Sequence, residues 1–151
     1  MGKILIRENK LADARTVLDR LPEFDDPVPV SEFETRLADR THLILTAYRN
    51  ETPVACKIGY DRQEDGSFYS WLGGVLPEFR RRGIARKLLT RQESWAKQKG
   101  FVSVRVKTRL RYTAMLRFLQ REGYCEIHRI ERQPERETRL IFEKQLTENE
   151  S

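Results

Sequence analysis

The stretch from residue 68 to residue 99 constrains this chain more than any other. An apolar run, 68–76, meets Pro77, then Arg80, Arg81 and Arg82 in succession, then Gly83, then a helically spaced segment, 84–99. Proline has no N–H to give a ladder, so a strand ends at Pro77. That run is the most continuously apolar in the chain, which predicts a central strand. Gly73-Gly74 inside it weakens the strand and predicts a bulge or a closely approaching ligand. Gly83 lets a ligand come near the backbone as the helix opens. The first turn of a helix presents unpaired N–H groups and a partial positive charge. Flanked by guanidinium groups, such a helix start suits phosphate.

Charge sharpens this expectation. Lys and Arg total 29 against 23 Asp and Glu, a net +6. Residues 80–121 hold ten Arg and four Lys against one acid, Glu93, so that window is +13 and the remainder −7. A solvated basic face, a nucleic-acid surface and a site for a small polyanion all fit such a window. Clustering at a helix start favours the polyanion. The basic segments lack interleaved aromatic residues, which argues against nucleic acid.

With 38% hydrophobic and 34% charged residues the chain is globular, and 151 residues predict one domain, 1–151. No apolar run has the length of a membrane span. The N-terminus lacks a signal-peptide core, and Ile6 leaves Gly2 without the Ser or Thr of a myristoylation signal. Cys56 and Cys125 lie in apolar runs with no metal-like spacing, which predicts buried free thiols, no metal and a reducing cytoplasm.

In order, the pattern predicts a strand at 3–7 and a helix at 11–21 capped by Asn9. An acidic proline-rich loop, 22–30, leads to a helix capped by Ser31 with Glu34 completing a capping box. Strands 42–48, 52–60 and 67–76 form a meander with turns at Asn50-Glu51 and Asp65-Gly66. The helix 84–99 should bury Ile84, Ala85, Leu88, Leu89, Trp95 and Ala96 and end at Gly100. A strand over 101–108 should carry Val102, Val104 and Val106 on one face, parallel to 67–76. A helix over 112–121 should use Tyr112, Met115, Leu116 and Leu119, and a hairpin, 124–145, turns at Gln133-Pro134-Glu135. Residues 147–151 look frayed.

Arg80-x-x-Gly83-x-Ala85, preceded by Val75-x-Pro77, resembles the acetyl-CoA-binding motif of the GNAT family of N-acetyltransferases. The order β-α-α-β-β-β-α-β-α-β-β is similar to that of the GNAT fold, and Ala114-Met115-Leu116 with Gly123-Tyr124 is similar to the family's last helix. The resemblance implies a mixed α/β fold: a mostly antiparallel sheet, one splayed parallel pair and flanking helices. It implies acetyl-CoA as co-substrate, bound by Gly74, Val75, Arg80, Arg81, Arg82, Gly83, Ile84, Ala85 and Arg86. Amides from Arg81 to Arg86 would wrap the pyrophosphate. Pantetheine would pair with the strand edge near Gly73, Gly74 and Val75, and an N–H near Val75 would polarise the thioester.

Two family features are missing. The phenol that protonates the leaving thiolate in many members falls at Leu119, and no Asn stands between Phe101 and Gly123. Water or another phenol, Tyr112 or Tyr124, would then protonate the thiolate. His42 and His128 stand alone in strands and read as structural, and Phe68, Tyr69 and Trp71 as core or pocket wall. Arg105, Lys107, Arg109 and Arg111 form a basic rim or a solvated face. The expected activity is acetyl transfer by direct attack of a primary amine, on a small molecule or a peptide, with positioning supplying most of the catalysis. Glu23, Asp25, Asp26, Glu32 and Glu34 are the acids on the substrate side. A CoA- or anion-binding module without chemistry is the competing reading. No nucleic-acid or membrane partner is expected, and the resemblance allows a homodimer.

Overall fold

A computed structural model describes residues 3–24 and 26–146. The discounted Gly2 signal, the candidate acid Asp25 and the tail 147–151 lie outside the described residues. The chain forms β1 (Ile4–Glu8), α1 (Leu11–Asp19), α2 (Val30–Leu37), β2 (His42–Arg49), β3 (Thr52–Tyr60) and β4 (Ser67–Val75). A 3₁₀ turn (Pro77–Phe79), α3 (Ile84–Gln98), β5 (Ser103–Arg109) and α4 (Thr113–Arg121) follow. β6 (Cys125–Ile130), a second 3₁₀ turn (Glu135–Glu137) and β7 (Arg139–Gln145) complete it.

The seven strands lie in the order β1-β2-β3-β4-β5-β7-β6, with β4 in the middle as its apolar run predicts. Every pairing is antiparallel except β4 with β5. That parallel ladder runs only from Ser67↔Ser103 to Ser70↔Val106. Beyond it β4 continues to Val75 and β5 to Arg109, so the two strands part and leave facing edges unpaired. This is the architecture that the sequence resemblance implies.

Two cores hold the sheet between helices. Ala14, Val17 and Leu18 of α1 and Phe33 and Leu37 of α2 pack on Ile44, Cys56, Ile58 and Tyr60. On the other face Ile84, Leu88, Leu89 and Ala96 of α3 and Leu119 of α4 pack on Leu45, Val54, Phe68, Val104 and Phe142. α3 buries Gln92 completely, whereas Ala85 is exposed and Trp95 half-buried, where the spacing predicted both inside. Val102 is 57% exposed because β5 begins one residue later, its amide donating instead to Gly66 O. Of the apolar residues predicted for α4 only Leu119 is buried; Met115 is 39% exposed.

The caps differ from expectation. Asn9 takes a left-handed φ of 65° and lies one residue outside the cap, which is Lys10 with no side-chain bond. Pro29, with φ fixed near −63°, sets the start of α2 a residue before Ser31, so the hydroxyl is already inside the helix and no capping box forms. The bulge in β4 falls at Trp71, between Ile58↔Leu72 and Gly59↔Ser70, not at the glycine pair. Cys56 is buried, and burial pushes its thiol up to about 12; Cys125 is exposed, because β6 is the outer strand of the sheet.

Candidate active site

The turn between β4 and α3 is built by local geometry. Pro77 opens the 3₁₀ turn, whose chain is held by Phe79 N–H donating to Leu76 O at 2.9 Å. Arg81 (φ 65°) and Gly83 (φ 80°) are both left-handed, and Arg82 between them is not. Alternation of this kind turns successive N–H groups to one side, the arrangement of an anion-binding nest. The first helical bond in α3 is Lys87 N–H to Gly83 O at 3.1 Å. Among the described residues the amides of Gly83, Ile84, Ala85 and Arg86 donate to no backbone acceptor. Nothing lies within 4 Å of the position a Gly83 Cβ would take, so that face of the turn is open.

The arginines diverge from this turn rather than clamp one point. Arg80 folds back: its Nε donates to Val75 O at 2.8 Å and its Nη2 to both carboxylate oxygens of Glu23, at 3.0 and 2.8 Å. Arg80 thus ties the turn to the loop between α1 and α2. Arg81, Arg82 and Ile84 line a cavity of about 460 Å³ on the β1 side, together with Lys3, Arg49, Phe79 and Lys87. Arg86 reaches Glu122 at the end of α4, Nε to Oε1 3.4 Å. Ala85 is exposed on the first turn of α3. The predicted cofactor set therefore gathers its backbone in one place and its side chains in three.

Gly74 and Val75 end β4 where β5 has left it. A Cβ on Gly74 would stand 2.6 Å from Leu21 Cδ1, and one on Gly73 2.9 Å from Cys56 O. Both glycines keep β4 close to its neighbours while its other edge stays open. Opposite Gly73 sits Lys57, whose desolvation on this face lowers its amine to about 8.

At the open end of the split lies a second, smaller and shallower cleft of about 360 Å³, lined by Pro22, Glu23, Arg111 and Tyr112. Tyr112 Oη accepts from Arg111 Nη2 at 3.1 Å. Tyr124 is otherwise engaged. It is buried, it donates to Glu93 Oε2 at 2.7 Å, and burial with that carboxylate raises its pKa far above the usual phenol range. Lys144 Nζ completes the trio at 3.2 Å from Glu93 Oε1. The lone acid in the basic window is thus a half-buried pin between α3 and β7. Its isolation among fourteen cations is the one sequence signal for that role. Leu119 packs in the core. Of the two substitute phenols, only Tyr112 faces a cleft.

The candidate acids are scattered. Glu23 is held by Arg80 and Glu32 by Arg36 at 2.8 Å, while Asp26 and Glu34 are exposed. His42 Nδ1 is bonded to Arg40 O at 2.9 Å, and His128 is exposed on β6. Of the basic rim, Arg105 pairs with Glu143 and Asp65, and Arg109 and Arg111 with Glu137.

A model of the acetyltransferase (GNAT) family matches residues 11–124. Among solved structures, the ribosomal-protein-S18-alanine N-acetyltransferase of Escherichia coli superposes with a TM-score of 0.81 at 17% identity, covering 97% of this chain and 96% of that one. Ard1 of Thermoplasma volcanium gives 0.80 at 15% identity, over 96% and 99%. A candidate streptothricin acetyltransferase of Bacillus anthracis, solved with acetyl coenzyme A, gives 0.73 at 16%, over 95% and 98%. No curated protein sequence matches the chain.

Proposed function

The chain belongs to the acetyltransferase (GNAT) family, and on that premise we propose that it moves an acetyl group from acetyl-CoA to a primary amine by direct attack. One observation carries the reading. The open amides of Gly83, Ile84, Ala85 and Arg86 start a helix directly after a strand whose outer edge is unpaired. Such amides suit a pyrophosphate, and a strand edge suits the two amide groups of pantetheine. The thioester then lies at the split, where a backbone N–H of β4 polarises its carbonyl as the amine attacks. The cleft beside Tyr112 and Glu23 admits the amine from the other side.

Attack forms the C–N bond, breaks the C–S bond and expels the CoA thiolate, and the proton that the nitrogen sheds passes to water. A thiol is a far better acid than an alcohol, so the leaving group needs less help than in most acyl transfers. Tyr112 is our choice for the proton donor. Leu119 in place of the family phenol favours a second reading, a CoA-binding module without turnover. The free cysteines suit a reducing compartment, and we place the protein in the cytoplasm. The test is a thiol-release assay with acetyl-CoA and a panel of amines, beside calorimetry with CoA. Binding with amine-dependent release supports the transferase; binding without release at every amine supports the module.

A further inference from the structure

The face of the sheet beside the split carries an unbalanced charge. α1 and α2 cover β2 to β4, and Lys107 lies just past Val106, the last residue of β5 paired to β4. It shares a face with Arg105 and Arg109, and with Tyr69, which pairs with Arg105. Trp71, bulged out of β4, joins this face, packing on Phe33 at 5.3 Å and Tyr60 at 5.6 Å between ring centroids. Two arginines are laid over these rings: Arg36 over Trp71 at 4.8 Å and Arg62 over Tyr69 at 4.9 Å. A guanidinium stacked on a ring keeps its in-plane donors free to point sideways.

The acids on this face do not balance it. Glu143 and Asp65 hold Arg105. Glu32 holds Arg36. Glu137 is shared by Arg109, Arg111, Arg136 and Arg139, at 3.1 to 3.9 Å. Arg62, Arg139, Arg36 and Arg132 stand around Lys107: desolvation first, and then their charges, lower its pKa. Lys107 is exposed on this face, and a surface carrying one sign of charge concentrates ions of the other.

We infer that the acceptor carries an anionic group, a carboxylate or a phosphate, near its amine, and that Lys107, Arg62 and Arg139 receive it beside the split. The inference rests on the acetyl-transfer reading for the amine and on the charged face for the anion. An anion seated there leaves the amine at the point where β4 and β5 part. Lys107 is a specificity residue: it selects the acceptor and takes no part in the transfer.

The test uses paired acceptors that differ in whether they carry an anionic group. O-phosphoethanolamine is set against ethanolamine, and tripeptide amides beginning with Glu against those beginning with Gln and Lys. The first pair samples small molecules and the second peptide N-termini. The anionic member of at least one pair should show a kcat/KM at least tenfold higher. Lys107→Gln should raise its KM about tenfold with little change in kcat, and Lys107→Arg should restore it. CoA affinity should be the same in all three proteins. Preference for neutral or cationic acceptors overturns the inference and leaves the transferase standing. Calorimetry on the CoA-saturated protein separates the remaining cases. Lys107-dependent binding of anionic amines without turnover upholds the anion site and refutes the transferase. Absence of both binding and turnover for every anionic member refutes the inference.

Discussion

Replacing Gly83 separates what the turn does for the fold from what it does for a ligand. Its φ is 80°, a region that costs a non-glycine residue about 1–2 kcal/mol. A residue with a side chain also loses less freedom on folding than glycine, which returns about 0.4–1 kcal/mol. Because nothing lies within 4 Å of the Cβ position, no steric cost is added. Gly83→Ala should therefore lower stability by only about 1 kcal/mol in urea unfolding, with an unchanged m-value. Gly83→Val adds β-branching in the same conformation and should lower it further, by roughly a few tenths to 1 kcal/mol. The effect on CoA has a different origin. The space is open where a pyrophosphate would meet the amides of Gly83 to Arg86, so a side chain there intrudes on the ligand and not on the protein. Binding of CoA by calorimetry should weaken at least about tenfold in Gly83→Val, roughly 1.4 kcal/mol, and less in Gly83→Ala. Both variants remain folded at about 25 °C by this reckoning, so affinity is measured on native protein. A Gly83→Val protein with lowered stability and full CoA affinity would refute the assignment of this turn to phosphate.

Tyr112→Phe should lower kcat by about 10²-fold with CoA affinity intact, and remove any alkaline limb of the pH–rate profile; an unaltered profile would clear Tyr112 of the proton-donor role. Tyr124→Phe leaves Glu93 with Lys144 alone and should cost about 1–3 kcal/mol in thermal or urea unfolding, with a small effect on turnover of the folded enzyme. Lys57 titrates at about 8 in the folded chain against an ordinary 10.5, so the unfolded state holds the extra proton between those values and stability should rise with pH across that window. Lys57→Met should be more stable than wild type below about pH 8, and the gap should close toward pH 10.5 in urea titrations; a gap independent of pH would show that the amine is not desolvated.

Much of this molecule can be read from the chain because its signals are local. Val75-x-Pro77 and the arginine–glycine turn are contiguous, and the residues that end β4 and begin α3 carry their own reasons for doing so. The same holds for Asn50 and Gly66, both found with positive φ at the predicted turns. What stays hidden depends on partners far apart in sequence. Arg80 looks like a phosphate ligand until Glu23, 57 residues away, is seen to hold it. Trp71 looks like ordinary core until the register with β3 shows that one residue too many lies between Gly59 and Ile58 on the β4 side. Gln92 is polar and nothing in the chain marks it for burial, yet the packing of α3 on the sheet leaves it at 0% exposure. The cap of α2 fails for a different reason: a capping sequence is a preference of about 1 kcal/mol, and the proline two residues earlier fixes the entry before it can act.

The short ladder between β4 and β5 has a mechanical consequence. The sheet is two plates, β1 to β4 and β5-β7-β6, riveted along one line by the pairs from Ser67↔Ser103 to Ser70↔Val106. α3 rides over both plates, its residues packed on Leu45 and Phe68 on one side and Val104 on the other. The seam can therefore yield at its open end while the plates stay rigid. A molecule bridging both edges would act as a weld, and amide protons on Trp71 to Val75 and Lys107 to Arg109 should exchange more slowly once it is in place. In this architecture the stiffness of the whole sheet is set by what occupies the seam.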